Sequence, residues 1–104
     1  MINEILKEWG RPHRETCYPS KLPPNTCGVF MADVEMDGPD GVNLVAYHDT
    51  TVEIYAPTPD AAAEADFEAV LNSRGIPWTK QARYWLQNLQ RYQTVYNFSY
   101  IIKL

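Results

Sequence analysis

The stretch YQTVYNFSYII, residues 92–102, decides the fold, because its side chains alternate in character along its whole length. Successive side chains of a strand point to opposite faces of a sheet, so this alternation predicts one long β-strand. One face carries Tyr92, Thr94, Tyr96, Phe98, Tyr100 and Ile102, and the other carries Gln93, Val95, Asn97, Ser99 and Ile101. A strand of this length needs neighbouring strands, and the sequence before it supplies them.

A β-hairpin is predicted upstream of this strand. The segment Thr26–Glu35 alternates between two sets of side chains, and Asn43–Tyr55 forms a second long run in which Val52 and Ile54 would face the core. Between them lies MDGPDG, residues 36–41, where two glycines supply positive φ and proline and aspartate favour a turn. Two strands joined by such a turn form a hairpin.

Two helices are predicted, one on either side of this hairpin in the sequence. In the first, Ile2, Ile5, Leu6 and Trp9 follow the i, i+3, i+4, i+7 spacing, and Gly10 ends the helix.

The second helix is predicted from its capping signals and its apolar stripe. Thr58 is the expected N-cap, Pro59 the first helical residue and Gly75 the C-cap, with Arg74 in the last turn. The stripe consists of Ala63, Phe67, Val70 and Leu71, and the acidic residues Glu64, Asp66 and Glu68 are expected mostly off it.

The remaining segments complete an α+β fold. Ile76–Arg83 has the alternation of a strand, whereas Tyr84–Gln90 fits a loop, a bulged strand or one helical turn. Prolines confine Arg14–Pro24 to an edge strand or coil. The predicted order is α-β-β-β-α-β-β, a mainly antiparallel sheet with two helices packed on it.

Length and composition limit the classes of function. The chain has 104 residues, which fits a single domain over 1–104 and excludes a large cleft between two domains. It contains no apolar run of about 20 residues that would span a membrane. Residues 1–8 carry acids where a secretory signal has a basic lead, so cytoplasmic residence is expected.

No constellation of catalytic, cofactor-binding or metal-ligating residues is recognisable, so the chain is not expected to be an enzyme. Cys17 and Cys27 fit no zinc motif and are expected as free thiols on neighbouring strands, with a hairpin disulfide as the alternative. A Cys–His pair with His13 or His48 lacks a nucleophile motif. His48 and Asp49 are adjacent on a strand, so they would point to opposite faces and could not share a metal ion.

The charges are segregated along the sequence, although the net charge is only -4. Ten acids and no Lys or Arg lie between Asp33 and Glu68, and five basic residues and no acid follow Ala69. Two interpretations remain: paired strands bring these charges together within one fold, or an acidic surface meets a basic surface on the next subunit.

Nucleic-acid binding is the less favoured interpretation of the basic region. Arg83 and Arg91 are interleaved with aromatic residues, as in stacking platforms, but the net charge is negative and no nucleic-acid-binding motif is present.

The order of elements and several segments resemble one family, the tail terminator (tail completion) proteins of long-tailed, siphovirus-like phages and prophages. The segments are the short opening helix, YPSKLPP at 18–24, TVEIY at 51–55 before an acidic helix, RGI at 74–76 and YQTVYNF at 92–98. The likeness covers nearly the whole chain as a pattern of element order and composition.

The resemblance implies a non-enzymatic structural protein without a cofactor. Such a protein assembles as a ring, a hexamer in the virion, which caps the tail tube and joins it to the head connector. Its implied partners are itself, the tail tube protein and the head connector or stopper protein, and its implied location is the virion, after assembly in the bacterial cytoplasm. A head-completion or stopper protein, or another small protein-binding adaptor, is the alternative.

We expect two contact regions in such an assembly, the hairpin turn and the basic region near the last strand. The residues concerned are Met36, Asp37, Gly38, Pro39, Asp40, Gly41, Arg83, Trp85 and Arg91.

Overall fold

Two helices and six strands make up the part of the chain that the structure, a computed structural model, describes: residues 1–18, 21–37 and 45–103. The helices are α1 (Ile2–Trp9) and α2 (Ala61–Ser73). The strands are β1 (His13–Glu15), β2 (Cys27–Asp37), β3 (Val45–Ala56), β4 (Trp78–Lys80), β5 (Tyr84–Leu86) and β6 (Arg91–Lys103). The α+β class and the predicted element order are confirmed, and the segment left open at Tyr84–Gln90 adds the short β5.

The sheet is mostly antiparallel and has the strand order β1-β2-β3-β6-β4, with β5 also paired to β6. The predicted hairpin is confirmed, since β2 and β3 pair from Cys27↔Tyr55 to Asp37↔Val45. The residues of its predicted turn from Gly38 to Gly41 lie outside the described ranges. Strand β3 is central, because β6 pairs along its entire length. Among the strands of the described residues, β1 alone is parallel to its neighbour.

Both helices pack on one face of this sheet. The core contains Ile5, Leu6 and Trp9 of α1, Ala63, Phe67 and Leu71 of α2, and Phe30, Val52, Ile54, Tyr96, Phe98 and Tyr100 of the sheet. The alternation predicted for Val52 and Ile54 is therefore confirmed, and one face of β6 packs against the helices. Phe67 lies at the centre, with its ring centroid 5.0 Å from that of Tyr96.

Trp9 fixes α1 against α2 and the sheet. Its Nε1 donates a hydrogen bond to the carbonyl of Ala63 at 2.8 Å, so the buried indole N–H is satisfied. The ring also lies where a side chain at position 28 would stand, since a Cβ on Gly28 would be 3.0 Å from Trp9. Gly10, with φ of 83°, ends α1 in the left-handed conformation, as predicted.

The boundaries predicted for α2 are wrong by two residues at its start. Asp60, not Thr58, is the N-cap, and its carboxylate accepts a hydrogen bond from the backbone N–H of Ala63 at 3.0 Å. Pro59 therefore precedes the helix. At the other end the predicted C-cap is wrong by one residue, since Arg74 is the C-cap and Gly75 follows it with a φ of 68°.

The short strands differ from the predicted segments. Strand β4 occupies only three of the residues in Ile76–Arg83, and β5 begins the segment Tyr84–Gln90, for which the sequence allows a loop, a bulged strand or a helical turn. Strand β1 occupies the first edge of the sheet, as expected for a proline-rich region, although it begins at His13. Three-residue strands show too little periodicity to be located from sequence, since alternation needs about four residues.

Candidate functional site

The face of the sheet opposite the helices is covered at one end only. There, Cys27, Val29 and Tyr55 form a second small cluster. Tyr18 and Leu22 pack against this cluster from the segment between β1 and β2, and Leu86 of β5 does so from the other side. At the other end, the described residues place no helix or loop over the strands.

The part of the sheet that is uncovered on this face forms a projection, which we call the arm: residues 31–37 of β2, 45–51 of β3 and 99–103 of β6. On the other face of the arm, Ala46, Thr50 and Tyr100 are buried. It lies beyond the positions where β1 and β4 pair, and the molecule is 50 Å long but only 29 and 22 Å across. Five large apolar side chains of the arm are exposed, and they are Met31 (39%), Val34 (49%), Met36 (50%), Tyr47 (36%) and Ile101 (57%).

These apolar side chains occupy both faces of the arm. Val34 and Met36 share the face of β2 that carries the buried Phe30, whereas Met31 points to the opposite face, because strand side chains alternate. Tyr47 and Ile101 are paired across β3 and β6 on that opposite face. Because these exposed apolar groups lie together on one projection, the arm is a candidate interaction surface.

The polar contacts on the arm join its strands to one another. On the open face the Ser99 hydroxyl donates to Asp49 at 2.5 Å. On the other face the His48 ring stacks on Tyr100 with centroids 4.8 Å apart. His48 and Asp49 thus point to opposite faces, as predicted. Among residues 1–18, 21–37 and 45–103, no group of three His, Cys, Asp or Glu side chains is placed to hold a metal ion.

A buried carboxylate links α2 to the segment containing β4. The side chain of Glu64 is 6% exposed and binds Lys80 Nζ at 2.9 Å and Arg83 Nε at 2.7 Å. Lys80 also binds Glu68 at 2.9 Å, and the Tyr96 hydroxyl donates to Glu68 at 2.5 Å. Burial alone would raise the pKa of Glu64, but the hydrogen bonds from Arg83 and Lys80 outweigh it and hold that pKa below its usual value.

This network favours the first interpretation of the charge segregation for part of the chain. Lys80 and Arg83 neutralise acids of α2, and Arg74 binds Glu8 of α1 at 3.2 Å. The expectation that Glu64 lies mostly off the buried stripe is wrong, because its side chain is inside the ion network. A signal was available in the sequence, since Glu64 precedes Phe67 by three and Leu71 by seven positions.

The structure separates the residues predicted as contact regions. Met36 and Asp37 lie at the far end of the arm, and Gly38, Pro39, Asp40 and Gly41 lie outside the described ranges. Arg83, Trp85 and Arg91 lie at the opposite end of β6 or before it, roughly 25–35 Å away at about 3.3 Å per strand residue.

Each of the three residues at that opposite end already has partners within the chain. The Arg83 guanidinium binds Glu64, and the Trp85 ring packs edge-on against Tyr92 with centroids 4.9 Å apart. Arg91 donates to the carbonyl of Gln90 at 3.0 Å. Trp85 nevertheless remains 39% exposed.

A surface cleft of about 490 Å³ lies beside Arg91, between the segment that follows β1 and the turn before β6. Cys17 and Lys21 line it, whereas Cys27 is buried beneath Tyr18. Both cysteines are free, as expected, but the prediction that they lie on neighbouring strands is wrong for Cys17, which follows the end of β1. Burial raises the pKa of the Cys27 thiol to about 11, so this group is protonated at neutral pH and is a poor nucleophile.

The sequence prediction missed Val34 and Ile101, which are among the most exposed apolar residues of the arm. A signal existed for Ile101, because Ile102 follows it and the end of β6 therefore carries apolar side chains on both of its faces, whereas Val34 alternates with Asp33 and Glu35 as a core residue would. Helices cover only one face of this sheet, so apolar side chains on the other face are exposed where nothing else packs on them.

Neither α1 nor α2 is long and apolar enough to cross a bilayer, and no other helix occurs in residues 1–18, 21–37 and 45–103. A scan against models of known protein families finds no match to this chain, and a search of curated proteins finds no relative. What the chain does is therefore inferred from its own residues and geometry, in which the arm is the candidate functional site.

Proposed function

We propose that this chain is a non-enzymatic structural protein of a phage tail or neck, one subunit of a ring that caps the tail tube and joins it to the head connector. The observation that carries the proposal is the arm, a projection with exposed apolar side chains on both of its faces. The resemblance of the chain to tail terminator proteins indicates the assembly in which other subunits would cover such a projection.

The arm fits assembly better than it fits a free monomer. Exposed strand edges and apolar patches promote association, and stable monomers usually blunt or cover them. The rest of the molecule is well anchored, with Trp9 locked between the helices and Phe67 at the centre of an aromatic core. A well-packed domain with one projection that exposes apolar surface has the properties expected of a subunit of an assembly.

The proposed partners are further copies of this chain, six in the complete ring, together with the tail tube protein and the head connector or stopper protein. The proposed location is the virion, after assembly in the bacterial cytoplasm. Neither a cofactor nor a membrane or nucleic acid has a role in this proposal.

The test is complementation of a phage or prophage that lacks the gene for this chain. Met36→Glu places a charge on a side chain that is 50% exposed, so the fold should be retained while a charge interrupts the apolar surface of the arm. We expect this variant to yield few infectious particles and tubes of uncontrolled length in electron micrographs. Ala65→Glu, which adds the same charge to the exposed side of α2, is the matched control and should complement fully.

Three outcomes distinguish the candidates. Normal tails and full infectivity with a folded Met36→Glu protein would overturn the proposal. Tails of normal length that fail to join heads would favour the alternative, a head-completion or stopper protein. Normal particles from a phage without the gene would favour an adaptor outside the virion.

A further inference from the structure

The arm has two edges on opposite sides, and neither is paired within the described residues. Strand β1 pairs with β2 only from Gly28 to Phe30, so the edge of β2 is open from residue 31 onward. Strand β4 pairs with β6 only from Tyr96 to Phe98, so the edge of β6 is open from residue 99 onward. Strand β3 lies between them along the whole arm.

Two hydrogen bonds identify the backbone groups that face outward at each edge. The N–H of Thr16 donates to the carbonyl of Phe30 at 2.8 Å, so even-numbered residues of β2 turn their backbone groups away from β3. The N–H of Gln81 donates to the carbonyl of Val95 at 2.9 Å, so odd-numbered residues of β6 do the same. The free groups are those of Ala32, Val34 and Met36 on one edge and Ser99, Ile101 and Lys103 on the other.

The side chains of the two edges are complementary. On the open face, β2 presents the exposed acids Asp33 and Glu35, and β6 presents the exposed base Lys103 together with Ile101. Val34 adds an exposed apolar side chain at the β2 edge. Like edges of β2 would place acids beside acids, which is unfavourable across a pair of strands. Unlike edges bring opposite charges together on the open face, while Val34 contributes apolar surface on the other face.

The directions of the strands allow the unlike edges to join. Strands β2 and β6 are both antiparallel to β3 and therefore run parallel to each other. Glu35 and Ile101 are both paired with Tyr47, so they lie at the same height on opposite edges of the arm. A second copy placed beside the first in the same orientation would thus continue the sheet at matching height.

We propose that the β6 edge of one copy pairs in parallel with the β2 edge of the next, joining subunits head to tail through their arms. This inference rests on the proposed function, which requires copies of the chain to associate with one another. It adds to that function the surface through which the copies meet. A head-to-tail contact of this kind uses both edges of every subunit and leaves none open once the ring closes.

Disulfide trapping tests this contact directly. The variant carries Glu35→Cys and Ile101→Cys in a Cys17→Ser background, in which the remaining Cys27 is buried. Because β3 separates the two new cysteines by roughly 10 Å, a bond between them within one chain is excluded. Under mild oxidation at high protein concentration we expect a ladder of covalent species at multiples of 12.0 kDa.

The single variants supply the matched controls. Glu35→Cys alone and Ile101→Cys alone should stay monomeric, and an equal mixture of the two should form covalent dimers and nothing larger. A double variant that remains monomeric would overturn the inference. Dimers formed by either single variant as readily as by the mixture would also overturn it, because they would show contact between like edges or random collision.

The outcomes separate this inference from the proposed function. If the double variant forms the ladder but the gene is dispensable for tail completion, the edge contact is retained and the phage assignment is overturned. If the native chain complements normally but the double variant forms no ladder, the phage assignment is retained and the subunit contact lies elsewhere.

Discussion

Glu64 shows how one buried charge connects distant parts of the chain. Its carboxylate accepts hydrogen bonds from Lys80 and Arg83, which come from the segment after α2, and Thr94 of β6 lies 3.3 Å away. A carboxylate with such partners retains its charge inside the protein, whereas an unpaired one would be strongly destabilising. The ion network therefore fixes the position of the short β4 against α2.

Replacing Glu64 with Gln should lower the free energy of unfolding by about 1–3 kcal/mol, because two charge-assisted hydrogen bonds lose their charged acceptor. Asp66→Asn is the matched control on the same helix. The Asp66 side chain is 59% exposed and its pair with Arg11 is at the surface, so the loss there should be below about 1 kcal/mol. Urea denaturation at neutral pH measures both changes, and equal losses would contradict the role assigned to Glu64.

The effect of Glu64 should also depend on pH. Its pKa is lower in the folded protein than the ordinary value of 4.5, so the folded state favours the ionised form. The resulting stabilisation is fully present above pH 4.5 and is lost as the pH falls through the folded-state pKa. We therefore expect the difference in unfolding free energy between the native chain and Glu64→Gln to shrink in acid. A difference that persisted at low pH would show that the effect arises from packing.

At the scale of the element, the start of α2 depends on Asp60. Its carboxylate accepts hydrogen bonds from the Ala63 N–H at 3.0 Å and from the Thr26 hydroxyl at 2.5 Å. These two bonds lower the pKa of Asp60, the one from Thr26 more strongly. The cap thus holds the helix and ties it to the residue that precedes β2.

Asp60→Ala should destabilise the fold by about 1–2 kcal/mol, because the N-terminal N–H groups of α2 lose their acceptor. Thr58→Ala, at the position that the sequence pattern favoured, should change stability by less than about 0.5 kcal/mol, since Thr58 is exposed and lies outside the helix. Thermal unfolding followed by circular dichroism compares the two variants. A larger loss of stability for Thr58→Ala than for Asp60→Ala would show instead that Thr58 is the N-cap.

Elements with long, regular patterns were predictable from sequence, and short ones were not. Strand β6 and the β2–β3 hairpin alternate over ten or more residues, and α1 has four apolar residues at helical spacing. Strands β4 and β5 are three residues long and exist because β6 offers them an edge. Their positions depend on tertiary contacts such as that of Lys80 with Glu64, which no local pattern contains.

At the scale of the whole molecule, the candidate site was predicted in part. Met36 and Asp37 do lie on a projection, because a long hairpin extends beyond the helices that cover its base. Arg83 was chosen for its charge, but its partner Glu64 lies nineteen positions earlier, and sequence spacing does not reveal that pair. The open edges could not be foreseen either, since they depend on where β1 and β4 stop pairing.

The two cysteines should report on the integrity of the whole fold. Cys17 is exposed and Cys27 is fully buried with a raised pKa, so a thiol reagent should modify Cys17 rapidly and Cys27 only when the protein opens. Mass spectrometry of the native chain should show one fast and one slow modification, and the Cys17→Ser variant should show only the slow one. Rapid modification of Cys27 in that variant would contradict its placement.

The length of the arm also has a hydrodynamic consequence. A compact chain of 104 residues has a radius of gyration of about 13 Å, whereas this molecule, drawn out to 50 Å, has one of 15.0 Å. Friction increases with elongation, so a single copy should diffuse more slowly than a sphere of the same mass. In gel filtration it should elute slightly ahead of compact standards of 12.0 kDa, so its apparent mass should exceed its true mass. Its mass in solution is therefore best read from the intensity of scattered light, which does not depend on the shape of so small a particle.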